Sequence, residues 1–508
     1  MTMQTGLNHY QKGLELASAG RHQEGLNCIR EHLRIVPNDA QALNDAGAIL
    51  HCLGRGEDAI EFLTRARSLK SDSAEIVWNL AETYLASGRA VEAASLLGNM
   101  ERMGILSIEV LNRIATMLLD QDRKGQAVEV LLRSRRLWPE QEVLAPMLDV
   151  IRSKRPKVAF FRAGAGEDGV LAEVCEFVQE RFRTEFYSGC TGRHDGSTLD
   201  SDRRPEGIVD LVRWSDIAWF DGGGEMAVEA SRLGSHSRII ISLRRSDLCG
   251  HWAKDVLWEN VSILAQIGSC AVEESLLEQV PDIRNRTRLV VVPNGINLGR
   301  YTLRRREPGK HLACIGCLTM EANPAFLIQC MQKLHYIDPG YKLSFAGTFE
   351  NPLLEQYIRH MVRTLNLTDV VTFEPPCGEW DHWLSDKHFI VASGIGESQV
   401  EALLAGMACG LKPVVHNFPG ADKLFPPQYL FNIAEQFCEQ VLARDYESEQ
   451  YRRFVEQKYQ IEGQLSRVNG ILQQLETELE SHSARVAWDA PGETRGQHAA
   501  HDTRRATT

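Results

Sequence analysis

Met407-Ala408-Cys409-Gly410-Leu411-Lys412-Pro413-Val414-Val415-His416-Asn417-Phe418-Pro419-Gly420-Ala421 carries a short apolar strand candidate, Pro413 to His416, closed by a glycine-bearing turn. Outward from it the same grammar repeats. Brief β-branched runs alternate with amphipathic helical stretches, which predicts parallel sheets with helices on both faces. One series runs upstream: Val158 to Phe161, Asp216 to Phe220, Ile239 to Ser242, Val261 to Ala265 and Leu289 to Val292. A second holds His311 to Ile315, Tyr341 to Ala346, Val370 to Phe373, His388 to Ala392 and Pro413 to His416. Two such halves meeting near Pro293-Asn294-Gly295 predict one cleft, where strand ends and helix N-termini converge on a ligand.

Before the basic breaker Ser153-Lys154-Arg155-Pro156 the pattern is different. Gly20, Gly54 and Gly88 recur at one spacing, and five residues after each stands a small side chain, Gly25, Ala59 and Ala93. Pro37 closes the first unit. A fourth copy, expected with one inserted residue, places Ala127 in the small slot and Pro139 at its end. Each unit reads as two antiparallel helices, with the small residue allowing close approach and the glycine serving the turn. The pattern resembles the tetratricopeptide repeat over roughly residues 6 to 141. Such stacks present a concave surface to a peptide or partner protein; dimerisation, or support for the next domain, is the other reading.

Val291-Val292-Pro293-Asn294-Gly295-Ile296-Asn297 and the stretch from Met407 to Ala421 resemble family 4 glycosyltransferases of the GT-B fold. The similarity covers about residues 157 to 460 and is strongest from 289 to 425. The resemblance implies an all-α repeat solenoid joined to an α/β unit of GT-B type, two doubly wound Rossmann-like halves facing a cleft. It implies a nucleotide-sugar donor held mainly by the second half and an acceptor held by the first. It also implies a hexosyl transfer that retains anomeric configuration and uses neither a metal nor a cofactor. A site of this kind must neutralise a departing diphosphate.

Against that family pattern the chain departs at defined places. The loop after the first strand of the second half, Gly316 to Pro324, usually bears an arginine and a lysine; here those positions hold Cys317 and Ala322. A pair of glutamates eight apart becomes Glu397 and Ala405, with Glu401 one turn before Ala405 on what reads as one helix face. The expected site therefore has Glu397 as the catalytic residue, with Ser398 and Glu401 on the donor. Asn294 and Gly295 join them at the junction, as do Gly164 and Gly166 in the turn after the first strand. Arg244, after the strand Ile239 to Ser242, either binds phosphate or belongs to a surface basic patch. Asp221-Gly222-Gly223-Gly224-Glu225 either touches an acceptor hydroxyl or is a flexible connection.

Composition narrows the rest. The 508 residues are 43% hydrophobic and 24% charged, which excludes wholesale disorder and asks for several domains. A net charge of −12 gives no global basic field for nucleic acid. No apolar run is long enough for a membrane span, no signal-peptide core opens the chain, and the 12 scattered cysteines read as reduced thiols of a cytoplasmic protein. Cys314 with Cys317, and Cys190 with His194, lack further ligands for a metal. The expected domains are repeats at 1–152, an acceptor-side half at 157–298, a nucleotide-sugar half at 299–432, terminal helices at 433–480 and a disordered tail at 481–508. The function expected is transfer of a sugar from a nucleotide sugar to a protein or glycan acceptor, with the repeats recruiting a protein partner. The alternative is a catalytically degenerate GT-B protein acting as a binding or scaffold module.

Overall fold

The structure, a computed structural model, describes residues 3–162, 172–188, 207–234, 236–248, 250–268 and 271–489. It divides into two compact units, Met1–Arg155 with Gln179–Arg183, and Pro156–Val178 with Thr184–Thr508.

The first unit is a stack of helix pairs. Second helices begin at His22, Gly56, Ala90 and Lys124, and first helices at Ala40, Ala74 and Ile108. The register therefore runs through the fourth pair without the inserted residue the sequence suggested. Asp122, not a glycine, takes the left-handed turn there at φ 57°, as Gly88 does at φ 72°. Aspartate tolerates that conformation because its side chain bonds locally. The small slots are filled as packing demands: Ala59, Ala93 and Ala127 are fully buried. A Cβ on Gly25 would lie 2.7 Å from the backbone oxygen of Gly13 on the facing helix. Gly25→Val should therefore cost about 1–3 kcal/mol by overpacking, read as a lower denaturation midpoint. A wild-type midpoint would show that close helix approach is not what this residue serves.

The second unit holds two six-stranded sheets. The first contains β1 (Lys157–Arg162), β2 (Arg183–Ser188), β3 (Ile217–Asp221), β4 (Arg238–Leu243), β5 (Val261–Ile267) and β6 (Arg288–Val292), in the order β2-β1-β3-β4-β5-β6. The second contains β7 (His311–Ile315), β8 (Lys342–Ala346), β9 (Val371–Glu374), β10 (Phe389–Ala392), β11 (Lys412–His416) and β12 (Leu430–Phe431), in the order β12-β11-β10-β7-β8-β9. The pairings from β1 through β3, β4 and β5 to β6, and throughout the second sheet, are parallel. Central strands such as β3 and β10 are buried along nearly their whole length, which is why they read as unbroken apolar runs. Each sheet reverses its order once, between β1 and β3 and between β7 and β10, and these switch points are where a doubly wound sheet opens a crevice.

The chain returns to the first sheet at its end. Ile296 donates its N–H to the Tyr459 carbonyl (2.8 Å), and Ile461 donates to the carbonyl of Ile296 (3.1 Å). Beyond that crossing, the helix Ile461–Asp489 lies along β6, where Arg467 bonds the Val291 carbonyl (3.2 Å) and Glu478 pairs with Arg288 (2.9 Å). The helix corrects the expected tail. Residues 481–489 are helical, because Ala484, Arg485 and Ala487 favour helix and no glycine or proline intervenes before Pro491. Among the described residues, no helix is long and apolar enough to cross a membrane.

Candidate active site

A cleft of about 750 Å³ opens at the carboxyl ends of both sheets. Its first-half wall is built by residues at or just past strand ends: Arg162 after β1, Asp221 to Gly223 after β3, and Arg244 with Asp247 after β4. Asn294 and Gly295 form the junction. The second-half wall brings Cys317, Thr348 and Trp380 together with Glu397, Ser398 and Glu401.

The turn after β3 is closely packed against Trp252. A Cβ on Gly223 would fall 1.7 Å from a ring carbon of Trp252, and the Trp252 indole N–H bonds the Asp247 carbonyl (2.8 Å). Asp221 therefore stands at a set position, with its carboxylate accepting from the Ser242 hydroxyl (3.3 Å). Arg162 Nε lies 3.6 Å from one of its oxygens and Arg244 Nη1 3.7 Å from the other. Glu225 begins the next helix and is not part of the cleft wall. Asp247 accepts from the Arg244 backbone N–H (2.7 Å), yet burial raises its carboxyl above the usual range and Asp221 adds to the rise.

Glu397 is 8% exposed and sits just before the helix Val400–Ala408, whose positive N-terminal pole favours a carboxylate. It meets the other half directly. Gly268 follows β5 at φ 90°, and a Cβ there would lie 2.9 Å from Asn294 Nδ2 and 3.2 Å from Glu397 Oε2. Only a glycine in the left-handed region leaves room for both groups. The carboxylate also lies near enough to Tyr459 to add to the burial that pushes the phenol up.

Cys317 and Ala322 lie in different surroundings. Cys317 is exposed on the wall, its thiol bonded to the Thr348 carbonyl (3.4 Å). Ala322 is not on the wall at all. It is 2% exposed, its N–H bonds Thr319 Oγ1 (3.0 Å), and its carbonyl accepts from Ser393 Oγ (2.9 Å). Glu397 and Glu401 share the cleft, but Ala405 does not join them on that face. It is fully buried in the core and does not line the cleft, and Glu397 precedes the helix, so the three positions do not form one helical face.

Gly164, Gly166, Cys190 and His194 lie outside the described residues. Among the described residues no group of three His, Cys, Asp or Glu side chains could hold a metal ion. Sequence reasoning missed Asp247, Thr348 and Trp380. Asp247 and Thr348 follow β4 and β8 within a few residues, so a scan of every strand end would have found them. It also missed Glu321, whose carboxyl bonds Ser398 and is raised by burial, with Asp247 adding to the rise.

Residues 50–101 match the family model for the tetratricopeptide repeat. No curated protein matches the chain. Among solved structures, Anabaena Alr3699/HepE in complex with UDP and glucose is 11% identical, with a TM-score of 0.51 over 63% of this chain and all of its own. The pneumococcal O-GlcNAc transferase GtfA in complex with UDP and GlcNAc is 11% identical, with a TM-score of 0.41 over 51% of this chain and 57% of its own. At such identities the likeness is one of fold. The chain thus joins a tetratricopeptide-repeat segment to an α/β unit of the GT-B fold.

Proposed function

We propose that this chain transfers a sugar from a nucleotide-sugar donor to a protein or glycan hydroxyl, with the repeats recruiting the acceptor or a partner protein. The observation that carries this reading is the meeting of Glu397 with Gly268 and Asn294. A carboxylate from the second half is held against the first half and the junction, at the carboxyl ends of both sheets. There it can accept hydrogen bonds from sugar hydroxyls that tighten as the glycosidic bond breaks. Trp380 offers a flat apolar face to a nucleobase on the same wall, and Asp221 offers an acceptor hydroxyl a hydrogen-bond partner across from it.

The second reading, a GT-B module that binds without turnover, draws on a specific observation. The second-half wall carries Cys317 and Thr348 where a departing diphosphate asks for cations. A thermal-shift panel of nucleoside diphosphates and nucleotide sugars on the full chain addresses both readings. A nucleoside diphosphate should raise the melting temperature, and a matching nucleotide sugar incubated with the protein should release its nucleotide as the sugar passes to water or to an added hydroxyl acceptor. A melting temperature that no nucleotide moves would remove the transferase reading; stabilisation without release would favour the binding module.

A further inference from the structure

Trp380 reaches the cleft from the one-turn helix Trp380–Trp383, packed against a buried apolar cluster and lining the cleft as well. Four residues are too few for a helix to hold its own place, since the first turn costs more conformational entropy than its bond returns. Its position must come from groups outside it. Those groups belong to the segment that joins the two halves, between Val292 at the end of β6 and His311 at the start of β7.

Arg304 takes the start of the helix. Its two terminal nitrogens donate to the two carboxylate oxygens of Asp381 (3.0 and 2.7 Å), and one of them also donates to the Asp381 carbonyl (3.2 Å). The Thr302 N–H and the Cys409 thiol donate to the same carboxylate (2.7 and 3.5 Å). Arg306 takes the other end, donating to the carbonyls of Leu384 (3.0 Å), Ser385 (2.9 Å) and Lys387. From this we infer that Arg304 is a positioning residue: through Asp381 it presents the Trp380 ring to the nucleobase of the donor. The inference rests on the transfer reading for its ligand.

Bidentate pairing of a planar guanidinium with a carboxylate fixes angle as well as distance, which a single ammonium does not. The Arg304 bonds hold the Asp381 carboxyl down at about 2, so the clamp is charged at neutral pH. Among the described residues Arg304 does not line the cleft, so it acts on a ligand through the residues it holds.

The test titrates UDP, GDP and ADP into the full-length protein. The tightest is then titrated into Trp380→Ala, Arg304→Gln and the double variant, with thermal melting to confirm folding. Trp380→Ala should weaken binding about tenfold, the order expected for one stacked base, and Arg304→Gln should lose a comparable factor. The double variant should bind no more weakly than Trp380→Ala alone, because Arg304 acts through that ring. Arg304→Lys keeps the charge but not the fork and carries the same cycle if the glutamine variant unfolds; its loss should be smaller and again absent once Trp380 is replaced. Losses that add in the double variants, or full affinity in both Arg304 variants, would overturn the positioning role and leave the transfer reading intact. Full affinity in Trp380→Ala would do the same by placing the base elsewhere. A wild-type chain that binds none of the three nucleotides would remove the transfer reading and the role with it.

Discussion

Glu397→Gln should fold as the wild type does and lose turnover by about 10²–10³-fold, the cost of removing one preorganised polar contact to a transition state. The substitution keeps size and planarity, so the spacing to Asn294 and Gly268 survives. What it removes is the charge at the start of the helix Val400–Ala408. Glu401→Gln should cost less, because that residue, in the first turn of the helix, lies beside Tyr301, whose phenol is raised by burial and by the Glu401 carboxylate. Nucleotide release from a nucleotide sugar, measured beside thermal melting, checks both. Equal rates in Glu397→Gln and wild type would remove this carboxylate from the chemistry.

The second large effect is on stability. Placing a lysine in this loop by Ala322→Lys should destabilise the protein by about 3–5 kcal/mol, the range for an unpaired buried charge. Ala322 has no open side: Thr319 and Ser393 hold its backbone, and the residue is 2% exposed. Cys317→Arg should behave oppositely. That side chain is exposed on the cleft wall, so the guanidinium stays solvated and stability is unchanged. Its expected gain is about tenfold in affinity for a nucleoside diphosphate. Chemical denaturation of Ala322→Lys with a wild-type midpoint would mean that this loop rearranges freely, and that its neutrality is not imposed by packing.

What the sequence made legible follows from how each element is buried. Ten strands were readable, the central ones because a parallel strand covered on both faces must be apolar along its length, as in Ile239 to Ser242. β2 was missed because Arg183-Thr184-Glu185-Phe186-Tyr187-Ser188 sits at a sheet edge and mixes charge with aromatics. β12, two residues long, carries no period at all. The repeats were legible because close helix approach admits only small residues, which fixes Gly25, Ala59, Ala93 and Ala127 at one spacing.

The site was legible only where a motif set the numbering. Glu397 was found by counting back from the glycine run, and Asn294 by its place between the halves. The burial of Ala322 was not readable, since a loop position looks exposed until Ser393 is seen to close over it. Trp380 was equally hidden. It reaches the cleft from a four-residue helix well beyond β9, a placement no periodicity encodes.

The central claim is that the crevice between the two sheets binds a nucleotide sugar, and its most direct test is a crystal structure of the full chain grown with UDP. UDP is expected at the carboxyl ends of both sheets, with its base near Trp380 and the sugar side open toward Glu397. UDP bound away from this cleft would contradict it.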